Sequence, residues 1–262
     1  MAMVPIIAVV NQKGGVGKTT SCISISALTA KRGKKVLLID SDPQGNATSG
    51  LGYDKNAIER TTYDVLINQT DLKDVIRPTA VRNLYLCPSN INLTGAEVEL
   101  VDREHRESVL KQSVQAIQDD YDLIYIDCPP SLGLLTLNGL VAADRLLIPI
   151  QAEYYALEGV GQLLKTYELI RQGPNPKLEI EGVFLTMFDS RTQLSKQVAD
   201  EVRLHFQDLC YRTQIPRNVR LSEAPSYGKP IHEYDRLSKG ARAYDALTRE
   251  ILSRLKKKGA IR

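Results

Sequence analysis

Short apolar runs alternate along this chain with longer amphipathic stretches, and this alternation restricts the fold more than any other feature. Strands that alternate with helices form βα units, in which the strands pair in parallel. The apolar runs are PIIAVVN, KKVLLID, NLYLCPS, YDLIYID, DRLLIPI, EIEGVFLTM and CYRTQIP. The stretches predicted as helices are Thr19–Arg32, Arg106–Asp119, Leu134–Ala142, Leu157–Gln172, Ser195–Asp208 and Lys239–Lys257. The sequence thus predicts an α/β fold, with a doubly wound, mostly parallel sheet and helices on both faces.

The length of 262 residues fits one large domain over residues 1–262, with a basic C-terminal tail at about 254–262. A content of 43% hydrophobic and 25% charged residues is that of a globular protein. No apolar run approaches the roughly 18 residues of a membrane span, and the first residues lack the positive region of a signal peptide. These absences predict a cytoplasmic location.

The four cysteines are scattered along the chain and form no C-x-x-C pair. They are Cys22, Cys87, Cys128 and Cys210. This spacing argues against a zinc ribbon, a redox dithiol or a disulfide framework. We expect them to be buried small hydrophobes, as free cysteines commonly are.

The net charge of +3 is unevenly distributed along the chain. Residues 190–262 contain 16 Lys and Arg against 8 Asp and Glu, whereas residues 1–189 contain 18 against 23. Such asymmetry indicates a polyanion-facing surface in the last third of the chain. From charge alone, a solvated face with a basic tail explains the counts equally well.

The stretch NQKGGVGKTT follows an apolar run and precedes a helix, which is the context of a phosphate-binding loop. Its glycines let backbone N–H groups turn toward an anion, and the helix N-terminus adds positive charge. Lys18 would neutralise the β- and γ-phosphates, and the Thr19 hydroxyl would bind Mg²⁺. The loop departs from the common G-x-x-x-x-G-K-[ST] spacing, because Gln12 stands where the first glycine belongs. It also contains a second lysine, Lys13, for which this chemistry alone gives no role.

Carboxylates follow two further apolar runs. YDLIYID ends in Asp127, and a carboxylate at a strand tip after a phosphate-binding loop typically holds Mg²⁺ through its water shell. The run KKVLLID ends in Asp40, and Asp42 follows two residues later at the strand tip. Either of these could orient an attacking water, support the metal or cap the helix that starts near Asn46. The residues themselves leave these three roles open.

Five blocks together resemble the ParA/Soj family of deviant-Walker-A P-loop ATPases, of the chromosome-partitioning type. The blocks are KGGVGKTT, DSDPQGNATSGLG, YDLIYIDCPPSLG, PIQAEYYALEG and IPRNVRLSEAPSYGKPI. They follow the family's order between about Ile6 and Leu255. The resemblance implies an ATPase that uses ATP and Mg²⁺, has a weak intrinsic rate, and forms an ATP-sandwich homodimer.

The resemblance also implies roles for the site residues. Lys13 matches the signature lysine, which reaches across the dimer to the partner's ATP, whereas Lys18 serves its own ATP. Asp42 matches the carboxylate that orients the attacking water. The implied metal-site residues are Thr19, Asp40 and Asp127. The residues implied in ATP binding are Lys13, Gly14, Gly15, Val16, Gly17, Lys18, Thr19, Thr20, Met187, Pro216 and Asn218.

Members of the family bind double-stranded DNA without sequence preference, through basic residues of the assembled dimer. The matching positions are Arg191 and Arg220. Further candidates nearby are Lys196, Arg217, Lys229 and Lys239. The family also implies a ParB-type centromere-binding partner that stimulates hydrolysis and so releases the dimer from DNA. The resemblance therefore predicts a nucleoid-associated protein that segregates a chromosome or plasmid.

Three alternatives rest on other features. A membrane-surface ATPase like MinD would need a C-terminal amphipathic helix, and ALTREILSRLKKKG has its leucines and isoleucine near helical spacing, though without bulky aromatics. A cluster-carrying relative of the nitrogenase iron protein would need bridging cysteines, for which only Cys87 and Cys128 are candidates. A nucleotide-gated DNA-binding regulator would be supported by a helix-turn-helix extension, and none precedes Ile6. We therefore expect the partitioning ATPase, with no membrane partner.

Overall fold

A computed structural model of the chain describes residues 4–153 and 156–261, and these residues form one seven-stranded sheet. The strands are β1 (Ile6–Val9), β2 (Val36–Asp40), β3 (Arg77–Pro78), β4 (Leu84–Cys87), β5 (Leu123–Asp127), β6 (Arg145–Gln151) and β7 (Glu179–Thr186). Their order in the sheet is β3-β4-β2-β5-β1-β6-β7. Every neighbouring pair is parallel except β3 with β4. The predicted mostly parallel sheet is confirmed.

The helices connect these strands. They are α1 (Lys18–Lys31), α2 (Asn46–Gly50), α3 (Thr62–Leu66), α4 (Leu72–Val75), α5 (Leu93–Glu99), α6 (Val109–Gln115), α7 (Leu134–Ala142), α8 (Ala156–Gln172), α9 (Gln193–Phe206), α10 (Val219–Glu223), α11 (Ile231–Tyr234) and α12 (Lys239–Lys257). Hydroxyl caps fix where the long C-terminal helices begin: Thr192 accepts from the Ser195 N–H before α9, and Ser238 accepts from the Ala241 N–H before α12.

Apolar residues of the central strands alternate between two cores, one on each face of the sheet. Ile6 and Ala8 of β1 pack into the core that contains α6, α7, α8 and α9, whereas Ile7 and Val9 pack into the core that contains α1 and α12. A strand with both faces covered must be apolar throughout, which explains the continuous apolar runs in the sequence. The prediction of helices on both faces is confirmed, and the fold is a single α/β domain.

Two of the sequence predictions were wrong in detail. The run CYRTQIP is no strand: Cys210 and Pro216 make only isolated bridges with Val183 and Phe188. The helix predicted over Arg106–Asp119 is limited to α6, and a separate 3-10 turn follows it. The antiparallel strand β3 was not predicted.

The apolar side of α12 is packed against the rest of the molecule. Leu247, Ile251 and Leu255 are fully buried in the core on that face of the sheet. Part of the basic tail is also anchored, since Arg254 lies 3.9 Å over the Tyr211 ring. The stripe of apolar residues that could have suggested membrane binding is therefore a packing face. Within residues 4–153 and 156–261, no helix is both long and apolar enough to span a bilayer.

Candidate active site

The glycine-rich loop forms a cradle of backbone N–H groups between β1 and α1. Gly15 and Gly17 have φ values of 74° and 86°, a left-handed conformation that side chains other than glycine adopt at a cost. Val16 is buried, and its carbonyl accepts a hydrogen bond of 2.8 Å from Thr186 Oγ1, which ties the loop to the end of β7. No hydrogen bond to a described residue uses the N–H groups of residues 14–20. The loop thus presents unpaired donors, as a phosphate-binding site requires.

Lys18 is the first residue of α1 and points into this cradle. It is only 6% exposed, and its Nζ donates to the Lys13 carbonyl at 3.0 Å. Burial lowers its pKa, while Asp127 and Asp42 act in the opposite direction. The ammonium is therefore held beside the carboxylates at the strand ends, where a phosphate would replace the lost hydration.

Lys13 points elsewhere. Its Nζ lies 3.4 Å from Glu153 Oε2, and its side chain is about one-third exposed. The other oxygen of Glu153 accepts from Gln151 at 2.6 Å and lies 3.4 Å from Arg217. The two lysines of the loop therefore do not share one anion site: Lys18 is inside the cradle and Lys13 is at its rim.

Asp40 and Asp127 lie side by side at the carboxyl ends of β2 and β5, where they are register partners. Both are fully buried, and neither oxygen of Asp127 has a hydrogen-bond partner among the described residues. Burial and the nearby Asp40 raise the pKa of Asp127, whereas the Thr19 hydroxyl lowers it. Two unpaired buried oxygens beside a hydroxyl fit a site for a divalent cation.

The described residues do not form a complete metal cage by themselves. Across the two described segments, no group of three or more His, Cys, Asp or Glu side chains is arranged to hold a metal ion. A Mg²⁺ site built from one hydroxyl, one carboxylate, water and phosphate oxygens needs no such group. The residues present therefore fit Mg²⁺ that is bound together with a nucleotide.

Asp40, in contrast, is fully hydrogen-bonded to the chain. One oxygen accepts from the Thr48 N–H at 2.8 Å and from the Thr48 hydroxyl at 2.7 Å, and the other accepts from the Asp42 N–H at 3.2 Å. Burial still raises its pKa to about 6. Gly45 is the residue that precedes α2, but it has no side chain to provide a cap. Asp40 caps the first turn of α2 instead, so the capping role that the sequence left open belongs to Asp40.

Asp42 lies two residues further on and is 7% exposed. Its carbonyl accepts from Ser89 Oγ at 2.8 Å, and its Oδ1 accepts from the Gln44 N–H at 2.9 Å. Ser89 also donates its N–H to Thr48 Oγ1 at 2.8 Å, so one hydroxyl network holds both carboxylate segments. The second oxygen of Asp42 takes part in none of these hydrogen bonds.

A cavity of about 500 Å³ adjoins the loop on the other side. Gly17 and Thr20 of the loop line it, as do three further residues that the resemblance implies in ATP binding, Met187, Pro216 and Asn218. Met187 has a left-handed φ of 51°, an uncommon conformation for this residue type. Asn218 caps α10 by accepting from the Arg220 N–H at 2.9 Å, and its amide N–H groups make no hydrogen bond to a described residue. The structure thus brings all three residues to one cavity beside the phosphate cradle.

The basic residues implied in DNA binding lie on several segments. Arg191 is in the loop after β7, and Arg217 is in the loop before α10. Two backbone hydrogen bonds join these loops: the Phe188 N–H donates to the Ile215 carbonyl at 3.0 Å, and the Arg217 N–H donates to the Phe188 carbonyl at 3.2 Å. Arg220 lies in the first turn of α10. The three lysines are exposed on other elements. They are Lys196 on α9, Lys229 before α11 and Lys239 at the start of α12.

Several residues of the site were not predicted from the sequence. They are Glu153, Thr48, Ser89 and Thr186. Thr186 ends β7 and Glu153 follows β6, so position at a strand end was the signal that could have found these two. Thr48 and Ser89 are recognised only by their hydrogen bonds to the Asp40 and Asp42 segments. Of the block PIQAEYYALEG, Tyr154 and Tyr155 lie outside the described residues.

The expectation for the cysteines is confirmed for three of the four. Cys22, Cys87 and Cys128 are fully buried, whereas Cys210 is partly exposed. Cys87 and Cys128 belong to one apolar core, and burial raises the pKa of both thiols. Thiols turned into the core are poorly placed to bridge two subunits, which argues against the cluster-carrying alternative.

The fold and the site define a P-loop nucleoside-triphosphate-binding protein with a second lysine in its loop. An AAA domain model matches residues 4–180. The chain is 55% identical to the sporulation initiation inhibitor protein Soj of Bacillus subtilis, over 94% of this chain and 97% of that protein. It is 52% identical to the chromosome partitioning protein ParA of Myxococcus xanthus, over 95% of this chain and 88% of that protein. The chain belongs to the Soj/ParA family of chromosome-partitioning ATPases.

Solved structures agree with this fold. A protein from Mycobacterium smegmatis, solved as cobyrinic acid a,c-diamide synthase with bound ADP and magnesium, is 38% identical with a TM-score of 0.85, over 98% of this chain and 97% of that one. The septum site-determining protein MinD from Pyrococcus horikoshii, complexed with Mg-ADP, is 28% identical with a TM-score of 0.75, over 95% and 96%. The partitioning relatives are more similar in sequence than MinD is.

Proposed function

We propose that this chain is an ATPase that forms an ATP-sandwich dimer on nonspecific double-stranded DNA. Hydrolysis, stimulated by a ParB-type centromere-binding partner, releases the dimer and so segregates a chromosome or plasmid. The protein would then be associated with the nucleoid. ATP-driven release is what turns DNA binding into directed movement.

The separation of the two lysines is the observation that carries the proposal. Lys18 lies inside the phosphate cradle, whereas Lys13 is turned to Glu153 at the rim. A loop needs only one ammonium for its own phosphates. A second ammonium at the rim is suited to a nucleotide held by another copy of the chain, where it would act as an arginine finger does. ATP binding and dimerisation are then linked, because only two loaded copies satisfy both lysines.

The chain's own residues divide the remaining work. The N–H groups of the loop and Lys18 would bind the phosphates, and Thr19 with Asp127 would hold Mg²⁺, which would offset the charge of the phosphates when bound. Asp40 supports this edge indirectly, through Thr48 and the Asp42 N–H. Asp42 has an oxygen outside the described hydrogen bonds, and this oxygen would accept a hydrogen bond from the attacking water and so orient it.

The lining of the cavity favours adenine as the base. Guanine presents two N–H donors on one edge, and a carboxylate is the usual acceptor for such a pair. The described lining of this cavity contains no Asp or Glu. Met187 and Pro216 offer apolar contact for the ring, and the amide N–H groups of Asn218 suit a ring nitrogen acceptor.

Nonspecific DNA binding is the second half of the proposal. The excess of basic residues after position 189 and the exposure of Arg191 and Arg220 support it, because phosphate contacts give affinity without base readout. Burial of the apolar face of α12 counts against a membrane partner.

A direct test combines nucleotide and DNA. We expect the purified protein to bind DNA fragments of unrelated sequence with equal affinity when ATP and Mg²⁺ are present, and much more weakly with ADP. Fluorescence anisotropy at several salt concentrations measures this. Sedimentation with anionic vesicles but not with DNA would instead support the MinD-like alternative. Footprinting at one sequence only would support the DNA-binding regulator.

A further inference from the structure

Arg191 is held by a carboxylate two residues away. Its Nε–H donates to Asp189 Oδ1 at 2.9 Å and its Nη2 to Oδ2 at 2.7 Å, so the guanidinium and the carboxylate face each other as two forks. The Arg191 side chain is 87% exposed, whereas Asp189 is only 23% exposed. The hydrogen bonds from Arg191 lower the pKa of Asp189, which is therefore ionised at neutral pH. An exposed arginine is thus tied to a fixed point of the protein surface.

Asp189 is itself fixed by the turn between β7 and α9. Its Oδ1 also accepts from the Arg191 N–H at 3.0 Å. Its carbonyl accepts from the N–H and the hydroxyl of Thr192, the residue that caps α9. The direction of the guanidinium is therefore set by the turn and not by a mobile partner.

Arg220 has the same kind of support. Its Nη1 donates to Glu223 Oε2 at 2.8 Å, and its Nε lies 3.4 Å from Asp235. The Tyr234 hydroxyl donates to the same Glu223 oxygen at 2.9 Å and helps to fix it. The lysines that the sequence places beside these arginines differ: Lys196, Lys229 and Lys239 form no ion pair with any residue of the described segments.

We propose that Asp189 and Glu223 are positioning residues for DNA binding, which hold Arg191 and Arg220 so that their remaining N–H groups face the phosphates. A guanidinium carries five N–H donors, and Asp189 takes two of those of Arg191, so three remain for a phosphate. The inference rests on the proposed DNA binding. It adds two acidic residues, Asp189 and Glu223, to a surface that binds a polyanion.

Two physical effects of Asp189 oppose each other. As a negative charge near a polyanion it weakens DNA binding, and its removal would then tighten binding. As an anchor, Asp189 already restricts the rotamers of Arg191 before DNA binds, so less side-chain entropy is lost on binding. Loss of Asp189 would then weaken DNA binding. Near physiological salt, screening weakens the first effect and leaves the second intact. We therefore expect anchoring to dominate.

The test measures DNA affinity of Asp189→Ala and Asp189→Asn with ATP and Mg²⁺ near physiological salt. We expect Asp189→Ala to weaken binding by roughly 3-fold to 10-fold, in keeping with the lost ordering of one arginine. Asp189→Asn should weaken it less, because the amide oxygen still accepts from Arg191 and preserves the turn. The matched control is Glu201→Ala, which removes an exposed charge of α9 that contacts no arginine among the described residues, and it should leave binding equal or slightly tighter.

A double-mutant cycle decides whether Asp189 acts through Arg191. In an Arg191→Ala background, Asp189→Ala should no longer weaken binding. Tighter binding by both Asp189 variants would overturn the inference, since Asp189 would then be a counter-charge only. A wild-type protein without ATP-dependent DNA binding would instead remove the proposed function, and the inference with it. Melting temperatures of all variants separate these effects from loss of folding.

Discussion

At the scale of single residues, the two lysine side chains of the phosphate-binding loop lie in different surroundings. Lys18 is 6% exposed and lies among carboxylates, whereas Lys13 is about one-third exposed and meets one carboxylate at 3.4 Å. The backbone conformation of Gly15 and Gly17 produces this separation, because it turns the chain between the two lysines. The difference predicts separate phenotypes for the two positions.

We expect Lys13→Ala to retain ATP binding, because Lys18 and the loop N–H groups stay in place. Turnover should fall by roughly 10³-fold, the lower range for loss of a charge delivered in trans. Fluorescent-nucleotide binding and a phosphate-release assay measure the two properties. Lys177→Ala, in an exposed loop, is the control of equal charge. A Lys13→Ala protein with normal turnover would show that the rim lysine is not catalytic.

The ATP turnover rate of Asp42→Ala should be lower than that of the wild type by about 10²-fold to 10⁴-fold, the range for loss of general acid–base catalysis. ATP-dependent dimerisation should persist, since the phosphates and the metal do not depend on this side chain. Light scattering after size exclusion measures the dimer. Loss of the dimer in Asp42→Ala, but not in the exposed control Asp54→Ala, would mean that Asp42 is structural.

The residue types of the site could be predicted from sequence, but their partners could not. Asp40, Asp42 and Asp127 stand out because each follows an apolar run. Thr48 and Ser89, which hold the first two, are ordinary polar residues whose roles arise only when β2 and β4 lie side by side. Contacts between distant segments leave no local pattern for sequence analysis to detect.

At the scale of elements, long helices were predicted well and short ones were not. The bounds of α7 and α12 match the prediction, and α1 differs by one residue at each end. The four helices from α2 to α5 have only four to seven residues each. A stretch of two turns or fewer cannot show the 3.6-residue periodicity on which such predictions depend.

The run CYRTQIP shows why an apolar run can fail to form a strand. Its ends do contact β7, since the N–H groups of Tyr211 and Ile215 donate to carbonyls of that strand. Between them, the N–H groups of Arg212 and Thr213 donate to the Glu250 carboxylate of α12 at 2.9 and 3.1 Å. The Glu250 side chain of α12 thus takes the hydrogen bonds that a neighbouring strand would otherwise accept. No pattern within the run predicts this contact.

The short helix α11 contains a buried histidine that makes stability depend on pH. His232 is 8% exposed, and burial together with Lys31 and Arg32 lowers its pKa to about 4, while Asp245 acts in the opposite direction. An unfolded histidine titrates near 6.5. The contribution of His232 to the free energy of unfolding is therefore complete above about pH 6.5 and is lost as the pH falls toward 4.

We expect the wild-type protein to lose up to about 3 kcal/mol of stability from this group over that interval, which is an upper value because the side chain is partly solvated. His232→Leu should show a flatter profile in urea unfolding between pH 7.5 and 4.5. His205→Gln, at an exposed position of α9, is the control and should follow the wild type. Parallel profiles for His232→Leu and wild type would show that His232 contributes no pH dependence.

At the scale of the whole molecule, charge and fold divide the chain in the same way. Residues after 189 carry the basic excess and form α9 to α12, with Arg220 in α10 and Arg191 in the loop before α9. The residues before them supply the loop and the carboxylates of the nucleotide site. The sequence could predict this division from charge counts, but the ion pairs of both arginines required the folded chain.

We expect DNA affinity to fall steeply with salt and to depend on both arginines. Each phosphate contact contributes about 0.9 to the slope of log K against log salt, so the double variant Arg191→Ala/Arg220→Ala should lower the slope by roughly 1.8. Its ATP-dependent dimerisation should be unchanged, because neither residue reaches the loop. An unchanged slope in the double variant would show that DNA binds another surface.

The adjacent carboxylates of Asp40 and Asp127 have a consequence for the lifetime of the chain. Their burial side by side makes the ionised site costly to fold, as their raised pKa values indicate. A magnesium nucleotide that binds only the folded chain would remove this cost and reduce the population that proteases can cut. We expect digestion to be slower with ATP and Mg²⁺ than without, so that the abundance of the protein in a starving cell would follow its energy supply.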